Sequence, residues 1–225
     1  MYRTIVFAIT TVIWVVPCQG RNESRDTEER LKCANLVYAV SKSSVCFSDH
    51  FLATVSRETN CQPEQKFTPV KLAEDKMFQF PFAIMTGEGG FNLTGRERHV
   101  LKSYLTRGGF LLASAGCSSA EWDRSFRQEV RRIFPDKKLT KISMDHPIFH
   151  TVFDIRRIRL KKGGTTQLEG LAIEDKIVLI YSPEGLNDTA NAGRDGGRQC
   201  CCCGGNEIKN SHEINVNIFT YALTH

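Results

Sequence analysis

Apolar and polar positions alternate between two periods along this chain. Between residues 80 and 134 the text reads FPFAIMTGEGGF, LTGRERHVLKSYLTRGG, FLLASAGC and SSAEWDRSFRQEVRRIF. Pro81 to Thr86 and Phe110 to Ala113 are apolar almost throughout, as strands covered on both faces must be. Between them, Val100, Leu101, Tyr104 and Leu105 recur at helical spacing. Thr94 and Glu97 have capping-box spacing, and Gly108 sits where a left-handed C-cap belongs. A second stripe follows: Trp122, Phe126, Val130, Ile133 and Phe134, with Ser118 and Glu121 as its expected capping box and Pro135 as its stop. Strand, helix, strand, helix is the rhythm of a parallel sheet with helical crossovers, which places ligands beyond the carboxyl ends of its strands.

The flanks extend this pattern. Leu36 to Val40 reads as the first strand, with Leu31 and Cys33 extending it backwards. Ser48-Asp49 is expected to cap a short helix carrying Phe51, Leu52 and Val55. Phe67 to Leu72 contains Pro69, which cannot donate to a ladder, so this strand belongs at an edge, as the second strand of a 2-1-3-4-5 order does. Leu139 to Ile142 is a further short strand. Gln167 to Ile173 and Ile177 to Tyr181 read as a hairpin, and Ile214 to Leu223 as a closing helix. The expectation is one α/β domain over residues 31–225: a flavodoxin-like three-layer sandwich with a mostly parallel sheet, a C-terminal hairpin and a closing helix. Residues 185–205 form a Gly- and Cys-rich loop.

The amino terminus has a different character. Arg3, the uncharged apolar run Thr4 to Val16, Pro17 and Cys18-Gln19-Gly20 have the order of an export signal, with cleavage expected after Gly20. The run is too short to span a bilayer well. Residues 21–30 read as a flexible mature N-terminus. The expected location is periplasmic or extracellular, with no membrane span after cleavage. The formal charge of +5 is modest and spread along the chain, which argues against a nucleic-acid partner. Export makes cysteine pairing admissible, and the eight cysteines beyond the signal allow too many pairings for the sequence to choose one.

Candidate chemistry collects where the strands end. Cys117 lies between a buried strand and a capped helix, where the helix dipole favours the thiolate; the alternative is a buried structural cysteine. His146, held extended by Pro147, is the candidate base, with Asp145 or Glu88 as orienting or acid group. A binding site would be lined by Ser43, Ser44, Gly87, Gly89 and Gly116, with Arg124 offering an anion contact near a helix start. Cys200 and Cys203, with His212, have spacing that would suit zinc or a redox pair, and disulfides explain the cysteine run equally well. The reading is an exported domain that binds a small polar ligand or a protein partner at the strand ends. The alternatives are a cysteine-dependent hydrolase and a metal or redox site.

The segments TGEGGFNLT, YLTRGGFLLASAGCSSAEWDRSFR, MDHPIFHTVF, QLEG and NVNIFTYALTH occur in order over roughly residues 30–225. Together they resemble the bacterial family called domain of unknown function 4159, which has no established activity. The resemblance implies membership of the class I glutamine amidotransferase-like superfamily, of flavodoxin-like fold, and similarity to its trehalose-utilisation (ThuA-like) branch. Working amidotransferases carry a G-x-C-x-G elbow and a late His-x-Glu. Here Ala115-Gly116-Cys117-Ser118-Ser119 lacks the second glycine and no His-x-Glu occurs, so glutamine hydrolysis is not expected.

Overall fold

The computed structural model describes residues 30–43, 47–188 and 208–225. The signal segment, Ser44, Cys46, Cys200 and Cys203 lie outside these residues. Nine strands and four α-helices are present among the described residues. β1 (Cys33–Val37), β2 (Thr68–Lys71), β3 (Phe82–Gly87), β4 (Phe110–Ala115), β5 (Thr140–Lys141), β8 (Glu169–Ile173) and β9 (Lys176–Ser182) make one sheet in the order β2-β1-β3-β4-β9-β8-β5. β6 (Ile158–Arg159) and β7 (Thr165–Thr166) form a separate small hairpin.

The first five positions of the sheet are parallel, and β2, with its Pro69, is the edge strand. β9 occupies the fifth parallel position, and β8 and β5 continue the sheet beyond it as antiparallel additions. The C-terminal hairpin is therefore built into the sheet rather than appended to it.

Both faces of the sheet are covered, which is why β3 and β4 are apolar at nearly every position. On β3, Ala83 and Met85 face the layer of α2 (Gly95–Thr106) and α3 (Ala120–Ile133). Phe82 and Ile84 face the layer of α1 (Phe51–Glu58) and α4 (Ser211–Thr224). The capping box of α2 is formed as its sequence predicts, with Thr94 Oγ1 accepting from Glu97 N and Glu97 Oε2 accepting from Thr94 N. Two caps differ from expectation. Ser119, not Ser118, caps α3 and accepts from Trp122 N, and Ser118 adopts a left-handed conformation instead. α1 begins at Phe51 with His50 at its cap, two residues later than Ser48, whose hydroxyl accepts from His50 N.

The closing helix α4 is buried on almost every side from Ile214 to Tyr221. Its buried asparagines explain how such a helix tolerates polar residues. Asn217 accepts from the backbone N–H groups of Val152 and Phe153 and donates to Phe153 O, pinning an irregular segment that has no ladder of its own. Asn215 donates to Leu186 O. No helix among the described residues is long and apolar enough to cross a membrane.

Candidate functional site

The winding of the sheet reverses at β1, which has β2 on one side and β3 on the other. Folds of this kind open a crevice at that point, beyond the strand carboxyl ends. Three loops meet there, following β1, β3 and β4.

The loop after β1 was expected to be strand as far as Val40. Instead β1 ends at Val37, and Tyr38 and Lys42 close a tight turn by exchanging backbone hydrogen bonds of 2.8 and 2.9 Å. Ala39 and Val40 inside it have φ of 45° and 76°. A β-branched residue in the left-handed region is a genuine outlier, costing about 1–3 kcal/mol. The turn is held by Glu97, whose Oε1 accepts from Ala39 N at 2.7 Å while its other oxygen caps α2. Val40 projects into solvent at 89% exposure.

The glycines after β3 and β4 do two different jobs. Gly87 has no room for a side chain: a Cβ there would lie inside 3.0 Å of the Tyr38 hydroxyl and 3.1 Å from Trp122 Nε1. The hydroxyl of Tyr38 donates to Thr86 O at 3.0 Å and accepts from Trp122 Nε1 at 2.6 Å. Gly116 faces Gly87 O, which a Cβ would meet at 2.9 Å. These two glycines therefore form the floor on which the strand ends converge. Gly89, with φ of 66°, makes the turn above it and donates its N–H to Ser119 Oγ at 3.1 Å.

Charged groups ring this floor. Lys42 Nζ donates to Glu88 O at 3.0 Å. Glu88 is exposed, and its Oε1 lies 3.2 Å from Cys117 Sγ. The position of a Cβ on Gly89 would be 3.8 Å from both Lys42 Nζ and Glu121 Oε2. Cys117 and Ser118 have φ of 50° and 55°, so the corner after β4 is strained like the corner after β1. The Cys117 sulfur is engaged in a disulfide, so it has no proton to donate to Glu88. A sulfur in that state is not a nucleophile.

His146 is not brought to Cys117. It packs its ring against Tyr221 at 5.5 Å, on the α4 side of the sheet, whereas Cys117 leads into α3 on the other side. Its Nδ1 accepts from Ile148 N at 3.2 Å, capping the 3-10 turn Pro147–Phe149. Desolvation and the neighbouring His225 push its pKa down, which suits an acceptor nitrogen. Asp145 is exposed beside Ser143, 3.4 Å from its hydroxyl. The expected Cys-His dyad is therefore absent from this arrangement: a motif order that suggested proximity was undone by the route of residues 142–155 along the α4 layer.

The remaining expected residues are dispersed. Arg124 is exposed on α3, and one turn on, Arg127 is bidentate to Glu169 at 2.7 and 2.8 Å and 2.8 Å from Asp123. Ser43 is half-buried next to Lys42. His212 has both ring nitrogens engaged, Nδ1 with Asp188 at 2.7 Å and Nε2 with Thr54 at 2.9 Å, and neither is free for a metal as folded. Among the described residues no three His, Cys, Asp or Glu side chains cluster to hold a metal ion. Lys42, Ser119 and Glu121 were missed as participants. A lysine in a short polar loop carries no motif, and only the tight turn aims it at Glu88.

A sheet wound in both directions from β1, with polar groups and strained corners gathered where the winding reverses, defines a doubly wound α/β domain. The chain belongs to the family described as domain of unknown function (DUF4159), whose model matches residues 34–223. Comparison with curated proteins gives no match.

Proposed function

We propose that this domain binds a small polar ligand at the β1/β3 switch point, held between Lys42, Glu88 and Glu121 above the Gly87–Gly116 floor. The observation that carries this reading is the distribution of backbone strain. Seven described non-glycine residues have positive φ, and four of them (Ala39, Val40, Cys117 and Ser118) follow β1 and β4 around this crevice. Strain of this kind persists only where the surrounding structure over-determines it, and it concentrates at ligand sites. Charges of both signs facing one another across the opening suit a ligand with donor and acceptor groups. The bare Val40 at the rim favours a second reading, in which a protein partner covers the same opening.

The reading carries no catalytic step. Cys117 is held in a disulfide, and His146 packs in the α4 layer. In this proposal the chain shares the scaffold of the class I glutamine amidotransferase-like superfamily and its ThuA-like branch, without amidotransferase chemistry. It acts outside the cytoplasm after removal of residues 1–20, and N-terminal sequencing of mature protein that starts at Met1 would disprove export.

The binding test is a thermal-shift screen of small polar metabolites against the full chain, repeated with Glu88→Gln and Lys42→Gln. At least one compound is expected to raise the unfolding midpoint by several degrees, as mass action requires at saturating ligand, and both variants should lose the shift. Shifts that persist in both variants would place the ligand elsewhere and end the proposal. Rapid iodoacetamide modification of reduced Cys117 near neutral pH would instead revive the hydrolase alternative.

A further inference from the structure

Residues 154–162 read DIRRIRLKK, five cations against one anion in nine residues. In the sequence they look like a solvated run. In the fold residues 154–159, with three of the five cations, edge two adjoining cavities, of about 450 and 480 Å³, that share Arg156 and Arg157 in their linings. Lys141 and the hydroxyl-bearing Thr165 and Thr166 complete the first, and Arg159 belongs to the second.

We infer that these paired cavities form a second binding site, for a polar ligand carrying two or more oxyanion groups such as phosphate, sulfate or carboxylate. Three observations support it. The first is charge imbalance. Glu169 lines the first cavity, but both its oxygens are already taken by Arg127. Asp154 in the second is matched by Arg156 at 2.9 Å. Glu213 remains as the one other carboxylate in that lining. Among the described residues the side chains of Lys141, Arg157 and Arg159 make no ion pair, so positive charge is left over.

The second observation is rigidity. Asn210, at the cap of α4, accepts from Arg159 N at 3.2 Å and donates to Arg157 O at 3.1 Å. Lys209 N adds a 2.7 Å bond to Arg159 O. The backbone that carries the arginines is therefore fixed before any ligand arrives, which reduces the ordering cost of binding. The third is chemistry. Guanidinium forks match oxyanions bidentately, and threonine hydroxyls supply neutral donors between them. None of these residues belongs to the strand-end cluster, so this site stands or falls apart from it.

Isothermal titration of the full chain tests the inference, using three probes: tripolyphosphate, a sulfated disaccharide and citrate. They share the oxyanion chemistry and differ in source, so the tightest of them identifies the ligand class. One probe is expected to bind with one-to-one stoichiometry and to weaken as salt is raised. Arg157→Gln should weaken it about tenfold, the cost of one charge-assisted contact, and Lys141→Gln should add to the loss. The single variant Lys138→Gln removes the same charge from the loop after α3 and serves as control. The inference is overturned if no probe binds more tightly than the millimolar range. It is equally overturned if the control weakens binding as much as Arg157→Gln does, which would mean general attraction to a basic surface. Circular dichroism of each variant, with an unchanged melt, separates lost contacts from lost fold.

Discussion

Gly87→Ala isolates the contact on which the strand-end crevice rests. The glycine has no positive φ to protect, so the effect is steric and not conformational. Its new methyl would overlap the Tyr38 hydroxyl and press on Trp122 Nε1. Tyr38 and Trp122 are both fully buried, and neither ring can retreat without disturbing Phe91 and Phe126, which pack against them. The hydroxyl must therefore leave its two hydrogen bonds, stranding Thr86 O and the indole N–H. A buried group left unsatisfied costs about 1–3 kcal/mol, so with two such groups at the lower part of that range a loss of about 3 kcal/mol is expected. For a chain of this size that corresponds to a fall in melting temperature of roughly 6–12 °C.

Tyr38→Phe removes the same hydroxyl and should cost about 2 kcal/mol by itself. In the double variant the methyl occupies the space the hydroxyl vacates. Its cost should be about 3 kcal/mol, against a sum of about 5 kcal/mol for the singles, a coupling of roughly 2 kcal/mol. Urea unfolding followed by far-UV circular dichroism, with disulfides intact, measures all four proteins. Gly95→Ala, where a Cβ meets nothing within 4 Å, is the steric control and should not destabilise. Additive losses within about 0.5 kcal/mol would refute the reasoning, because they would mean that the methyl and the hydroxyl do not compete for one space.

Two further outcomes follow from other contacts. The hydrogen bond from His212 to Asp188 raises the His212 pKa above its ordinary 6.5, more than burial lowers it. The stabilisation is thus complete below the unfolded value and fades as pH rises through the higher folded one. Unfolding free energy of the wild type should fall relative to His212→Gln as pH rises above the ordinary 6.5; His146, whose pKa shifts the other way, is common to both proteins and cancels. Parallel pH profiles would sink this account. Cys33 is fully buried, and desolvation pushes its thiol up to about 12, while Cys61 is half-exposed. Alkylation of native protein, mapped by mass spectrometry, should therefore mark Cys61 and leave Cys33 unmodified until denaturant is added; equal labelling of the two would contradict the burial.

Legibility in the sequence divided along one line. Elements defined by near neighbours were readable: the capping box at Thr94 and Glu97, the Trp122–Phe126–Val130 stripe and the edge position implied by Pro69. Each depends on contacts within a turn or on one residue's covalent limits. Errors began where distant groups decide. β1 stops short of Val40 because Glu97, 58 residues away, holds Ala39 N. Ser119 displaces Ser118 as the cap while also accepting from Gly89 N in another loop. The hairpin β6–β7 was not foreseen, because two-residue strands have no period to read.

By itself the chain's text determined the class of architecture: apolar runs that need cover on both faces, helices with one buried stripe, and small residues where strands end. Its local physics is short-ranged, so a window of ten residues contains most of the information. Which polar groups share a site was decided only by the tertiary structure. Lys42, Glu88 and Cys117 meet because β1, β3 and β4 lie in adjacent register, while His146 is carried to the α4 layer by a path that no periodicity encodes. Proximity across a sheet is a property of topology, and topology is set by the packing of the whole chain rather than by any segment of it.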